Sequence, residues 1–380
     1  MIRVGFIGAV SKEWMGGVNY FKNLLFAISI LDNKEIEPIV FVPTKLDNDI
    51  KAMFREYAQV IEHPMFDRKN ILWFFWKVFK KLFNTNFLLD RLLKKYKIEV
   101  LSHSDIINLK ACKTINWIPD FQHLYLPHMF EATEVKRRDN HFLDLAKYSD
   151  AIVLSSYDAL KDFNQFAPQY SHKANVLQFV SQPDKRYFKL NSEDEKNLRD
   201  KYNILTKFFY IPNQFWKHKN HMIVFEAVRL LKDQGIHITI VCTGYLHDYR
   251  NKEYIKILMD FISEYHLNEH IKILGLVDYS DVFTLIKFSQ AVINPSLFEG
   301  WSSTVEECKS VEKIMILSDL NVHKEQYPNA LFFERNNASA LANILESLNS
   351  LNINDSVLID TVKQTKLFAQ TYQTIIKGII

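Results

Sequence analysis

Residues 291–307 read Ala291-Val-Ile-Asn-Pro-Ser-Leu-Phe-Glu-Gly-Trp-Ser-Ser-Thr-Val-Glu-Glu307. The run 291–294 is apolar and β-rich, which predicts a short buried strand, and the segment from Pro295 to Gly300 ends it in a loop. Ser303 then reads as a helix N-cap. With Glu306 three residues on, Ser303 fits a capping box, so Glu306 is expected to serve the helix and not the chemistry. Glu307 falls one step further round the same helix. Glu299 and Glu307 therefore stand eight residues apart across a loop-to-helix junction. The unpaired backbone N–H groups and dipole of such a helix start suit an anion such as a diphosphate.

The same alternation extends outward over the whole chain. Strands are expected at 2–7, 38–42, 99–102, 114–117, 151–154 and 174–179, and again at 208–211, 237–242, 271–274, 291–294, 314–317 and 330–333. Helical periodicity fills the gaps, as in Met222, Val224, Phe225, Val228 and Leu231 or in Leu258, Phe261, Ile262 and Tyr265. Strands alternating with helices predict βαβ units and parallel sheets, and two sheets accommodate twelve strands better than one. The polar stretch 191–200 marks the expected boundary. The fold class is α/β, with two doubly wound Rossmann-like domains at 1–188 and 200–355 and a helical segment at 356–380. Ligands of open α/β sheets sit at the carboxyl ends of the strands, so the cleft between two such sheets is the expected active site.

Composition narrows the function. The chain has 380 residues, 48% hydrophobic and 24% charged, which is ordinary for a globular protein able to bury a large core. Three scattered cysteines make neither a disulfide framework nor a metal site and point to a reducing, cytoplasmic compartment. The first residues do not have the pattern of a signal peptide, and no apolar run is long enough to span a membrane. A net charge of +3 argues against a nucleic-acid partner. Residues 68–97, however, hold nine Lys or Arg against one acid, Asp90, interleaved with Trp73, Phe74, Phe75, Trp76, Phe79 and Phe83. The stretch 70–97 reads as amphipathic helix that docks on an anionic membrane surface.

The segment Pro295-Ser-x-x-Glu299-Gly300, with a second glutamate at 307, resembles the donor signature of family 4 glycosyltransferases, and Trp301-Ser302-Ser303 resembles their O-antigen and capsule branch. The likeness runs on through Lys313-Ile-Met-Ile-Leu-Ser-Asp319, Glu325 and Leu331-Phe-Phe-Glu334 and covers most of 208–350. It implies a retaining enzyme of the GT-B fold that needs no metal and no cofactor. It implies that Glu299 approaches hydroxyls of the donor sugar and that Glu307 binds the ribose. The family clamps the diphosphate with an Arg and a Lys five residues apart. The matching positions are Gln214 and Lys219 in Ile211-Pro-Asn-Gln-Phe-Trp-Lys-His-Lys-Asn220, which follows a strand and opens a helix. Lys219 keeps its charge at that helix start, while Gln214 lacks one. Lys217 or His218 then compensates, or the amide hydrogen-bonds a phosphate. Gly244 and Val277 stand where the family's loops meet the nucleotide.

In the first half, Gly16-Gly17 follows the first strand and permits a tight turn with close backbone approach to a ligand. The family has a Gly-Gly loop at this place. Trp117-Ile-Pro-Asp-Phe-Gln-His123 follows another strand, where many members carry a His-Asp pair or a lone His beside the reacting sugar. The order here differs, with Asp120 before His123, and these two join Glu299 and Lys219 as catalytic candidates. His103 is a weaker one.

A diphosphate leaving group needs charge stabilisation more than protonation, so a front-face transfer is expected. The partners implied are a nucleoside-diphosphate sugar and a glycan or lipid-linked glycan acceptor of surface-polysaccharide assembly. Two rivals share the architecture. A non-hydrolysing sugar-nucleotide epimerase would act on donor without acceptor, and a non-catalytic binder would hold nucleotide without turnover.

Overall fold

The computed structural model describes residues 1–8, 15–83, 85–183, 186–350 and 361–380. Its contacts divide the chain into two compact units. Residues 1–124, 131–181 and 360–380 form the first, and residues 125–130 and 182–359 form the second.

In the first unit the strands are β1 (Ile2–Ile7), β2 (Ile36–Val42), β3 (Gln59–Glu62), β4 (Val100–Ser102), β5 (Lys113–Ile118), β6 (Ala151–Leu154) and β7 (Ala174–Val176). They pair in parallel in the order β3-β2-β1-β4-β5-β6-β7. Helices cover both faces, so the strand interiors are apolar on both sides. In β2, Ile36, Val40 and Val42 join one core with Val4 and Phe6, while Ile39 and Phe41 join another with Leu101. Each fully buried side chain of this kind contributes about 1.5–3 kcal/mol. The helix Thr361–Lys377 packs Phe368, Tyr372 and Ile376 into the first of these cores, beside Leu24 and Ile28 of the helix Met15–Ser29. Of the expected segment 356–380, the part before residue 361 lies outside the described residues.

The second unit holds β8 (Phe209–Ile211), β9 (Ile240–Thr243), β10 (Ile271–Gly275), β11 (Val292–Asn294), β12 (Met315–Ser318) and β13 (Leu331–Phe333), all parallel, in the order β10-β9-β8-β11-β12-β13. The strand order reverses between β8 and β11, which pair through Tyr210 and Val292. Loops that leave neighbouring strands at such a reversal part to opposite faces and open a crevice. The polar stretch 191–200 lies within this unit. It forms the helix Ser192–Tyr202, closed by a capping box in which Asn191 and Asp194 exchange hydrogen bonds.

One strand, β3, stands outside the expected set. Among the described residues no helix is long and apolar enough to cross a membrane.

Candidate functional site

The loops after β8 and β11 meet at the reversal. Asn213 Nδ2 donates to Asn294 Oδ1 at 3.2 Å, and the Leu297 N–H donates to the His218 carbonyl at 2.8 Å. The chain leaving β9 presses on the same point. Gly244 has φ +140°, and a Cβ there would collide with the Asn213 carbonyl, so only glycine fits. Its N–H donates to the carbonyl of Gly275, which is also left-handed at φ +70°.

Across this junction Lys219 and Glu299 form an ion pair, Nζ to Oε1 at 2.6 Å, with side chains 15% and 9% exposed. Ser296 Oγ donates to the same Oε1 at 2.7 Å, and Asn294 Nδ2 approaches it at 3.5 Å. Burial on its own would raise the Glu299 carboxyl. The charges of Lys219 and His323, with the hydrogen bonds from Lys219 and Ser296, reverse that effect and hold it at about 2. Glu299 is therefore an ionised acceptor throughout the physiological range.

The helix Ser303–Ser310 begins one residue earlier than its spacing suggests. Ser302 is the N-cap, accepting from the Val305 N–H at 3.4 Å, and Ser303 is the exposed first helical residue. The expected capping box is thus absent. Ser302 takes the role because Asn294 Nδ2 donates to its hydroxyl at 3.0 Å and Gln326 brackets its backbone, accepting from its N–H at 3.1 Å and donating to its carbonyl at 2.8 Å. Glu306 is buried and structural, but by another route. Gln326 Nε2 donates to it at 3.0 Å and Lys309 Nζ at 3.1 Å. Burial nevertheless raises its carboxyl above the ordinary range.

Glu307 is half-buried and takes one hydrogen bond at 3.3 Å, from the Tyr279 hydroxyl. Burial outweighs that bond and pushes its carboxyl up to about 7. Trp301 is buried, while Gly300 and Val277 are half-buried.

The cations of the 211–220 segment sit in a 3-10 turn, Lys217–Lys219. The helix itself opens only at His221, after Asn220 in a left-handed conformation. His218 cannot replace a missing charge. Burial, reinforced by the charge of Lys219, pushes it down to about 3, and its Nδ1 faces Arg250 Nη2 at 3.3 Å. Lys217 and Gln214 are exposed. Sequence reading missed three supports of this turn and helix. Asp248 Oδ2 accepts from the Lys217 N–H at 2.9 Å, Arg250 stacks 5.7 Å over Trp216, and Gln326 braces the helix start. The charged run from Asp248 to Arg250 after Thr243-Gly244 was the available signal.

In the first unit the glycine pair does not form a tight turn. Gly16 and Gly17 lie in the first turn of the helix Met15–Ser29, without positive φ, and a Cβ on Gly16 would meet open space. Residues 9–14 lie outside the described residues. Asp120 and His123 are not brought together. Asp120 Oδ1 accepts from the Gln122 N–H at 2.9 Å at the start of a helical turn. His123 turns into the core against Phe142, wholly buried, with Nε2 3.0 Å from Asp139 Oδ1 and no hydrogen-bond partner for Nδ1 among the described residues. His103 bridges Tyr20 and Ser102 at 2.7 Å on each side, and burial pushes it down to about 3.

Residues 194–365 match the family model described as glycosyl transferases group 1. No curated protein sequence matches significantly. Solved structures match over nearly the full length. A glycosyltransferase from Rickettsia africae ESF-5 is 17% identical with TM-score 0.64, covering 100% of this chain and 94% of its own. Anabaena Alr3699/HepE, solved with UDP and glucose, is 15% identical with TM-score 0.65, covering 99% and 95%. The lipopolysaccharide outer core galactosyltransferase WaaB is 14% identical with TM-score 0.59, covering 100% of both chains. The glutamates, the lysine and the reversal they surround all lie inside the matched segment, and the chain is a glycosyltransferase of the GT-B fold whose residues 194–365 match the group 1 glycosyl transferases.

Proposed function

We propose that the protein is a retaining, metal-independent hexosyltransferase that moves a sugar from a nucleoside-diphosphate donor to a glycan of surface-polysaccharide assembly. The observation that carries this reading is the buried Lys219–Glu299 pair at the strand reversal, with Glu307 eight residues on. Glu299, fixed in its ionised form, accepts hydrogen bonds from hydroxyls of the donor sugar. Glu307 accepts from the ribose, and a bound nucleoside supplies the donors its carboxylate lacks. Gly244, Val277 and Gly300 to Ser303 line the donor. Lys219 faces the diphosphate and stabilises the charge that grows on it as the glycosidic bond breaks. Gln214 is exposed and hydrogen-bonds a phosphate without adding charge. Gly16, Gly17 and Asp120 are assigned to the sugar and acceptor side. His123, buried in its core, positions the turn that carries Asp120.

In the transfer, the bond from the anomeric carbon to the phosphate oxygen breaks. A bond to the acceptor hydroxyl oxygen forms on the same face. The acceptor proton passes to the departing phosphate. No residue is asked to act as nucleophile, and the positive charge comes from Lys219, so the scheme requires no metal. The likeness to HepE, solved with UDP-glucose, supports a nucleotide-sugar donor. The likeness to WaaB, a lipopolysaccharide outer core galactosyltransferase, supports an acceptor in a surface glycan. We place the enzyme in the cytoplasm, at the inner face of the membrane where the acceptor is lipid-linked. The test is a thermal-shift screen of UDP-, GDP-, dTDP- and ADP-sugars, followed by a transfer assay with the stabilising donor. Stabilisation by none of them would remove the donor assignment.

A further inference from the structure

The helix Ile71–Phe83 carries its apolar side outward. A surface helix ordinarily turns that side to the core. Here Ile71, Phe74, Phe75 and Leu82 are 68%, 57%, 45% and 68% exposed, and Leu72 and Phe79 are exposed as well. At 100° per residue these six positions fill one continuous sector of about 160° on the helix. Trp76 is buried in the adjoining core, with Trp73 packed half-buried against it, and it meets Phe66 edge-on and donates Nε1 to Asn86 Oδ1 at 3.2 Å. Lys77 is exposed beside it, with its Nζ 4.5 Å from the Trp76 ring.

The next helix, Phe87–Lys95, adds an exposed Phe87 and the exposed cations Arg91, Lys94 and Lys95. Its one acid does not offset them. Asp90 is buried and accepts from the backbone N–H groups of Lys110 and Ala111 at 2.9 and 2.8 Å. The segment therefore shows an aromatic stripe and unbalanced positive charge on the same short stretch of chain.

We propose that this face docks on an anionic lipid bilayer. Phe74, Phe75, Phe79 and Leu82 enter the boundary between headgroups and acyl chains, and the cations meet lipid phosphates. Charge selects this occupant. The window 68–97 holds nine cations against one acid, so a second copy presenting the same face would be repelled, whereas an anionic bilayer is complementary in both its apolar and its charged layer. The surface stands on these helices and not on the donor chemistry, although it places the enzyme where a lipid-linked acceptor would be found.

Flotation of the full chain with vesicles tests it. The expected result is binding to phosphatidylglycerol-containing vesicles at low salt, none to pure phosphatidylcholine, and release at high salt. Phe74→Ser with Phe75→Ser, and separately Lys77→Glu with Lys94→Glu, each lower the bound fraction at least tenfold. Both pairs are exposed, so melting temperature and nucleotide-sugar binding stay at wild-type values. Failure of the wild type to bind phosphatidylglycerol vesicles at low salt overturns the proposal. So does binding that the phenylalanine changes leave intact, or a self-associated wild type that those changes convert to monomer.

Discussion

Lys219 Nζ lies 2.6 Å from Glu299 Oε1, although 80 residues separate the two in the chain. The topology makes the contact. β8 and β11 are neighbours in the sheet while β9 and β10 lie between them in sequence, so the loops that leave them share one crevice. The Glu299 carboxyl is held at about 2, below the ordinary glutamate range, so the pair stabilises the fold above pH ~4.3, and that contribution is lost as pH falls toward 2. In the proposed role, a carboxylate and an ammonium already set in place would need little reorganisation to meet the donor.

Glu307 gives the clearest pH dependence. Its carboxyl is raised to about 7 by burial. If the ionised form accepts ribose hydroxyls, donor affinity rises as pH climbs from 6 to 8. The native state holds this proton where the unfolded chain has lost it, so Glu307 makes the fold less stable as pH rises from ~4.3 to 7. Glu307→Gln should flatten the affinity profile and cost ~1.5–3 kcal/mol of donor binding, measured by calorimetry. Unchanged affinity in the variant would remove Glu307 from the ribose role.

Ser302 ties the helix start to both neighbouring loops. Ser302→Ala loses the N-cap, which costs about 1–2 kcal/mol, and leaves Asn294 Nδ2 without its hydroxyl acceptor. The expected outcome is a lower unfolding midpoint in denaturant with an unchanged slope. Ser303→Ala, at an exposed first helical position, should leave the midpoint where it is. The reverse order would restore the cap to Ser303.

Gly244→Ala combines a forbidden φ with a collision against the Asn213 carbonyl. The backbone conformation alone costs about 1–3 kcal/mol, and relief of the collision must shift the loop that leads to Lys219. Both stability and donor affinity should fall. Gly16→Ala is the control, since its Cβ meets open space, and a comparable stability loss there would contradict the geometry.

Legibility in the sequence followed burial. Twelve strands announced themselves as apolar, β-branched runs because both faces of each sheet are covered. Gln59–Glu62 did not, since it is an edge strand whose terminal residues are exposed and polar. Lys219, Glu299 and Glu307 were singled out by their likeness to the family's donor signature, and the structure brings the first two into contact. Their supports were not singled out. Gln326 acts from a helix 24 residues beyond Ser302, so no local spacing pointed to it, and Arg250 acts from the loop after β9, where only the charged run from Asp248 marked it. The cap was misplaced by one residue because Ser302 and Ser303 are the same residue type, and the choice between them is made by Asn294. Asp120 and His123 were grouped by proximity in sequence, but the helical turn Gln122–Tyr125 leaves the first at its start and carries the second into the core. The glycine pair at 16–17 was read as a turn, yet helix geometry asks nothing special of it.

Charge stabilisation by Lys219 without a metal predicts that transfer survives EDTA. Loss of activity in the chelator, restored by magnesium or manganese, would require a different account of the leaving group.

The most direct measurement is the transfer rate of Lys219→Ala with the donor identified by the screen. Removing the ammonium takes away stabilisation of the departing diphosphate and is expected to lower kcat by roughly 10²-fold or more. It also leaves Glu299 buried and unpaired, so the fraction folded must be measured in the same sample. A folded variant with near-normal turnover would contradict the account and transfer the leaving-group role to another cation, Lys217 first among them.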